Sequence, residues 1–181
     1  MAGADSLLSS DFENIYVLEI STVPFCGDLM HIAICGPLGS GCTEVGQLLS
    51  KRLGLPCVST SDVVRAAWSE GSFTDEYRAL EAQVRSGEVD LDAVIDSELD
   101  EILERGDTIV EGRSGFMLLD NKDVLKILLV APIERRVEHI GKRRGISLEE
   151  AKEDIKKSDK ERRHMVERLY DKEWLDPTLS L

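Results

Sequence analysis

Gly36-Pro37-Leu38-Gly39-Ser40-Gly41-Cys42-Thr43 is the stretch that decides how this chain folds. It fits the pattern G-x-x-x-x-G-K-[ST] at every position but one, with Cys42 where the lysine belongs. Glycines let the backbone curl until successive N–H groups point inward, and the helix that follows offers its positive end, so the segment makes an anion nest suited to a triphosphate. Thr43 would supply the hydroxyl that holds Mg²⁺. The plain alternative is a glycine-rich turn from strand to helix that holds nothing. Cys42 removes a cation that would otherwise reach the β- and γ-phosphates, and a charge ~4 Å from a phosphate oxygen is worth roughly 4 kcal/mol at an effective dielectric near 20. A cation from elsewhere, slow turnover, or binding without turnover must follow.

The flanks agree with the loop. Residues 31–35 (His-Ile-Ala-Ile-Cys) are a short apolar run that reads as a buried strand, and Val45, Leu48, Leu49 and Leu53 form a helical stripe ending at Gly54. Cys57 to Ser59 reads as a second core strand. A third, Asp107 to Glu111, follows the helical pattern Leu91, Val94, Ile95, Leu99, Ile102, Leu103; a fourth runs from Lys126 to Val130. Strands alternating with helices predict an α/β fold with a parallel sheet. Further on, Pro132 to His139 reads as a helix, and Ser147 to Glu150 opens a long one toward Tyr170 with a capping box. Within the first 29 residues, Ile15 to Ile20 has strand character, while Met30 stands directly before the first core strand.

Composition bounds the function. A chain of 181 residues, 42% hydrophobic, suits one domain. Its longest apolar runs fall far short of the ~18 residues a membrane span needs. The first 30 residues carry no Lys or Arg, unlike a secretory or transit peptide, so a cytosolic address is expected. Cys26, Cys35, Cys42 and Cys57 show neither C-x-x-C nor a zinc spacing and read as reduced thiols. A net charge of −13 argues against nucleic-acid binding. The charge is uneven, however: residues 131–181 hold 13 of the 22 Lys and Arg, so the cations concentrate where they could meet a compact anion. Read alone, Arg135, Arg136, Lys142, Arg143 and Arg144 would be an ordinary solvated helix face. His31, His139 and His164 show no partner and receive no catalytic role.

Together these segments resemble the cytidylate kinase family, particularly its archaeal and cytidylate kinase-like branches, over residues 31 to 177. The loop is joined by Val58-Ser-Thr-Ser-Asp-Val-Val-Arg65, by Val110-Glu-Gly-Arg113, by Ala131-Pro-Ile-Glu-Arg-Arg136 leading to Arg143, by Ser158-Asp159-x-x-Arg162, and by Trp174-x-Asp-Pro177. The kinase-like branch often lacks the loop lysine. The resemblance implies a three-layer P-loop fold with core strands in the order 2-3-1-4, and a lid over about 132–165. The family continues into a fifth strand that this chain, ending at Leu181, would lack. An edge so exposed favours pairing. Residues 1–29 would then be an extension dispensable for nucleotide binding or, in the competing view, a cover for that edge; a monomer or an edge-paired dimer would result.

By the same resemblance, ATP lies on Gly36, Gly39, Ser40, Gly41, Cys42 and Thr43, with Mg²⁺ at Thr43 and Glu111. Asp62, Arg65 and Arg113 hold the acceptor monophosphate, and Arg143, Asp159 and Arg162 act on the transferring group. The implied activity is transfer of the γ-phosphate of ATP to CMP or dCMP. Two alternatives stand beside it: a nucleotide-binding protein without useful turnover, and a kinase for another small acceptor.

Overall fold

The computed structural model describes residues 16–20, 30–67, 91–171, 173 and 174. Its elements are β1 (Tyr16–Ile20), β2 (His31–Cys35), α1 (Cys42–Leu53), β3 (Cys57–Ser59), α2 (Thr60–Ala67), α3 (Leu91–Glu104), β4 (Thr108–Glu111), a short 3₁₀ helix (Ser114–Leu118), β5 (Val124–Val130), α4 (Ile133–Arg144) and α5 (Leu148–Tyr170). The sheet runs β1-β5-β2-β4-β3. β2, β3, β4 and β5 are mutually parallel, in the expected order 2-3-1-4 of the core strands.

Both faces of the sheet are covered, which is why its strands are continuous apolar runs rather than alternating ones. On one face Ile32, Ile34, Ile109 and Leu129 pack with Val45 and Leu49 of α1. Ala33, Val110 and Val124 meet Ile95, Leu99, Ile102 and Leu103 of α3 on the other. Truncating a fully buried residue such as Ile34 to alanine would cost about 2–5 kcal/mol. A third cluster docks the end of α5 through Met165 and Val166 against Phe116, Leu119 and Leu128, with Trp174 stacked on Phe116 at 6.0 Å. Trp174 is thus a packing residue; Trp68 lies outside the described residues.

The fifth strand in the sheet comes from the N-terminal segment. β1 pairs antiparallel with β5, Tyr16 opposite Val130 and Ile20 opposite Ile127, with a register irregularity between Val17 and Glu19. The edge left open by the four core strands is therefore occupied by the chain's own residues 16–20.

Element boundaries shift where tertiary partners decide them. Asp107 precedes β4 and accepts the N–H of Met30 at 2.8 Å. β5 starts earlier than Lys126, at Val124, which is fully buried opposite His31. α4 continues past His139 because Val137 and Ile140 pack on Ala151 and Ile155 of α5; it stops at Gly145, whose φ of 65° few other residues accept. The Ser147–Glu150 capping box forms as expected. Among the described residues no helix is long and apolar enough to cross a membrane. Parallel β2, β3 and β4 deliver Gly36, Thr60 and Gly112 to one side, where open α/β sheets place their ligands.

Candidate active site

The loop after β2 is shaped by two glycines at positive φ, Gly39 at 85° and Gly41 at 96°. Gly41 is also the N-cap of α1, and no side chain caps the helix there. The first intrahelical bond is Val45 N–H to Gly41 O, at 3.0 Å, so the preceding amides of Cys42, Thr43 and Glu44 have no helical acceptor. These residues line a cavity of about 150 Å³ together with the rest of the loop, residues 59–61 and 111–113, Arg143 and Arg162. Uncapped donors at a positive helix end, in a cavity, are what an anion requires.

Three arginines from separate elements reach that cavity. Arg162, on α5, donates to Ser158 Oγ and to Ser158 O at 3.4 Å, while its buried Nε has no hydrogen-bond partner among the described residues. Burial pushes its guanidinium pKa down, and the nearby Cys42 and Asp159 oppose that. Arg143, on α4, stands 3.9 Å from Glu44 Oε1. Arg113, just after β4, stands 3.8 Å from Glu161 Oε2. Cations thus surround the place where the loop lysine is missing.

Thr43 Oγ1 donates to Glu111 Oε2 at 3.2 Å. Glu111 is 6% exposed, and desolvation raises its pKa, with the negative Glu44 and Asp62 adding to the effect and the Thr43 hydrogen bond and Arg143 opposing it. A hydroxyl and a carboxylate are hard oxygen donors, and a buried carboxylate with acidic neighbours is relieved by a cation. The pair therefore fits Mg²⁺, which keeps most of its shell for water and phosphate oxygens and needs only one or two protein ligands. Beyond this pair lies a second cavity of about 300 Å³, lined by Thr43, Gln47, Cys57, Ser59, Ser61, Asp62 and Glu111. Asp62 reaches its rim, but its carboxylate accepts the N–H of Ser59 at 2.9 Å and the Ser59 hydroxyl at 2.7 Å, a local clasp at the start of α2. Arg65 lies on α2, and its side chain is outside the described residues.

One sequence-based expectation needs correction. Asp159 does not line the cavity. Its Oδ1 accepts Leu38 N–H at 3.1 Å and its Oδ2 accepts Arg136 at 2.5 Å, so the carboxylate grips the loop from behind. Cys42 stands at a helix N-terminus, a place that favours a thiolate, yet it is 9% exposed and packed with Ile32, Ile34, Ile109 and Leu129. Burial pushes its pKa up to about 11; the Ser40 hydroxyl at 3.5 Å only partly offsets this. Desolvation outweighs the helix end because the sulfur turns into the core. Cys35, Cys42 and Cys57 are all free thiols, and Cys26 lies outside the described residues.

Sequence reasoning missed Arg136, His139 and Glu44. Arg136 Nε donates to Leu38 O at 2.8 Å. His139 bridges the loop and α1, with Nδ1 3.1 Å from Gly39 O and Nε2 3.0 Å from Glu44 Oε1. The available signal was spacing: Arg136, His139 and Arg143 fall at i, i+3 and i+7, one face of α4. That face turns toward the loop and the start of α1, with Arg143 at its far end still exposed.

Comparison with known proteins gives this geometry its relatives. A solved structure of an uncharacterised protein from Eubacterium ventriosum superposes with a TM-score of 0.62 at 20% identity, covering 84% of this chain and 86% of that one. Shikimate kinase from Bacteroides thetaiotaomicron superposes with a TM-score of 0.55 at 16% identity, over 77% and 82%. At such identities these show the fold, that of P-loop kinases. Cytidylate kinase of Methanopyrus kandleri is 34% identical over 161 residues, 83% of this chain and 80% of the relative. That of Methanothermobacter thermautotrophicus is 35% identical over 131 residues, 70% and 76%. The sequence model of the cytidylate kinase-like family matches residues 31–179, and the chain belongs to that family.

Proposed function

We propose that this chain is a nucleoside monophosphate kinase that transfers the γ-phosphoryl group of ATP to CMP or dCMP. The observation that carries this reading is the convergence of Arg113, Arg143 and Arg162 with residues 36–44 on one cavity. Phosphoryl transfer asks a protein chiefly to align donor and acceptor and to neutralise charge on the transferring group, and this cavity is equipped for both. The triphosphate lies on the uncapped amides of α1. Arg113 holds the acceptor phosphate, a role that the family resemblance extends to Arg65. An acceptor phosphate oxygen bonds to the γ-phosphorus as the bond to the β–γ bridging oxygen breaks, giving CDP and ADP. Arg143 and Arg162 balance the charge on the equatorial oxygens during that step. Thr43 and Glu111 would hold Mg²⁺, which supplies electrostatic neutralisation of the phosphates when bound. No general base is needed, because the nucleophile is already anionic.

The choice of CMP leans on the relatives named cytidylate kinase. The test is a coupled assay of ATP with CMP, dCMP, UMP and AMP as acceptors in turn. CMP or dCMP turning over fastest supports the reading, and preference for AMP sinks it. The burial of Cys42, which puts no charge at the lysine position, favours a second reading: nucleotide binding without useful turnover. ATP binding with no diphosphate product from any acceptor would establish that one.

A further inference from the structure

We propose that Arg136 and Asp159 are positioning residues that hold the phosphate loop by both backbone groups of Leu38 and fasten α4 and α5 to the loop as one unit. The consequences for nucleotide handling rest on reading the loop as a triphosphate site. Arg136 Nε donates to Leu38 O at 2.8 Å, Leu38 N–H donates to Asp159 Oδ1 at 3.1 Å, and the guanidinium meets Asp159 Oδ2 at 2.5 Å. The ring closes on itself. Arg136 is 7% exposed, yet neither charge is buried alone: each has its counter-ion and a backbone partner, the arrangement in which a buried pair fixes geometry.

Neighbouring contacts reinforce the ring. His139 takes the next carbonyl, Gly39 O. The Leu38 side chain packs against the cluster that Ile140 of α4 forms with Ala151 and Ile155 of α5. Gly39 lies so close to α4 that a Cβ there would stand 2.9 Å from Arg136 O. Leu38 is thus held by its N–H, its C=O and its side chain at once.

The arrangement does two things. It stops the loop from relaxing, so the amides at the start of α1 keep their aim. It also sets where the cavity arginines stand, because Arg143 is seven residues beyond Arg136 on α4 and Arg162 three beyond Asp159 on α5. Preorganised donors of this kind lose their value when displaced by as little as about 1 Å.

The experiment is hydrogen exchange at the Leu38 amide in the full chain without ligand, paired with binding of a fluorescent ATP analogue and with KM values for ATP and CMP. Wild type is compared with Arg136→Gln, Asp159→Ala and Asp159→Asn, folding being checked by circular dichroism. We expect the Leu38 amide to exchange at least tenfold faster in Asp159→Ala. ATP-analogue affinity should fall tenfold or more in Arg136→Gln and Asp159→Ala, with the CMP KM within twofold, and Asp159→Asn should recover part because it keeps an oxygen for Leu38 N–H. A wild-type Leu38 amide exchanging at the rate of an open peptide overturns the proposal, and so do folded variants with unchanged exchange and affinity. If the alanine and glutamine variants do not fold, the wild-type exchange rate decides alone. If wild type binds no ATP analogue, the triphosphate reading fails, while exchange still tests the clamp.

Discussion

The hydroxyl of Thr43 donates to Oε2 of Glu111 across 3.2 Å, tying the first turn of α1 to the end of β4. The two residues are 68 positions apart in sequence, and their meeting places a hydroxyl and a buried carboxylate beside the phosphate loop. The burial of Glu111 has a thermodynamic consequence. Its pKa is raised in the folded state, chiefly by desolvation, so the charged form opposes folding. Stability from this group is full below the ordinary carboxylate pKa and is lost as pH rises through the raised value.

Glu111→Gln should therefore raise Tm at pH 7 to 8 in metal-free buffer, and the gain should vanish at pH 4, where wild type is itself protonated. A gain of about 1 kcal/mol would appear as roughly 2–4 °C for a chain of this size. The same variant should lose most of its Mg²⁺-dependent activity. Differential scanning calorimetry across pH is the check; a variant less stable than wild type at pH 8 would contradict the argument.

Arg113 and Arg162 line one cavity but should fail differently. Arg113→Ala is expected to raise the acceptor KM tenfold or more while ATP affinity stays within twofold. Arg162→Ala should reduce turnover by ~10²-fold or more, the usual loss when one donor leaves a preorganised anion site. Steady-state kinetics with each substrate varied separates the two. Tenfold weaker ATP binding in Arg113→Ala, or near-normal turnover in Arg162→Ala, would reassign the residue concerned.

Among the described thiols, Cys57 should be alkylated first. Burial pushes both Cys42 and Cys57 up to about 11, so thiolate fraction does not separate them and access does. Cys57 is half-buried and lines the larger cavity, whereas Cys42 borders the smaller one but is 9% exposed and packs in the core cluster beneath the loop. Timed iodoacetamide labelling with peptide mass spectrometry reads the order directly. Faster labelling of Cys42 would mean that the loop opens far more than its packing suggests.

Removing residues 1–29 strips β1 from β5 and exposes a parallel edge. Such an edge invites pairing with another chain. A protein beginning at Met30 should therefore self-associate in light scattering at concentrations where the full chain does not, while its folded fraction still binds ATP. If the shortened protein scatters like the full chain, the N-terminal strand is dispensable in the sense the sequence first suggested.

What the sequence determined by itself was local. The phosphate loop, the apolar runs of β2 and β4, the stripe of α3 and the Ser147–Glu150 capping box are each set by residues within a few positions of one another, so pattern alone exposes them. The cavity arginines 113, 143 and 162 were reachable too, through short motifs in order. Only the tertiary structure decided the rest. Asp159 reads as a reactive carboxylate until Leu38, 121 residues away, claims it; His139 reads as unpartnered until Gly39, 100 residues away, meets it. Cys42 turned on a competition between a helix end that stabilises its thiolate and a core that excludes it, and the side chain's direction settled the outcome. Periodicity says which face of an element is buried, but not which distant backbone group will stand opposite it. That depends on how helices cross a twisted sheet, and the chain fixes it only when all its layers pack at once.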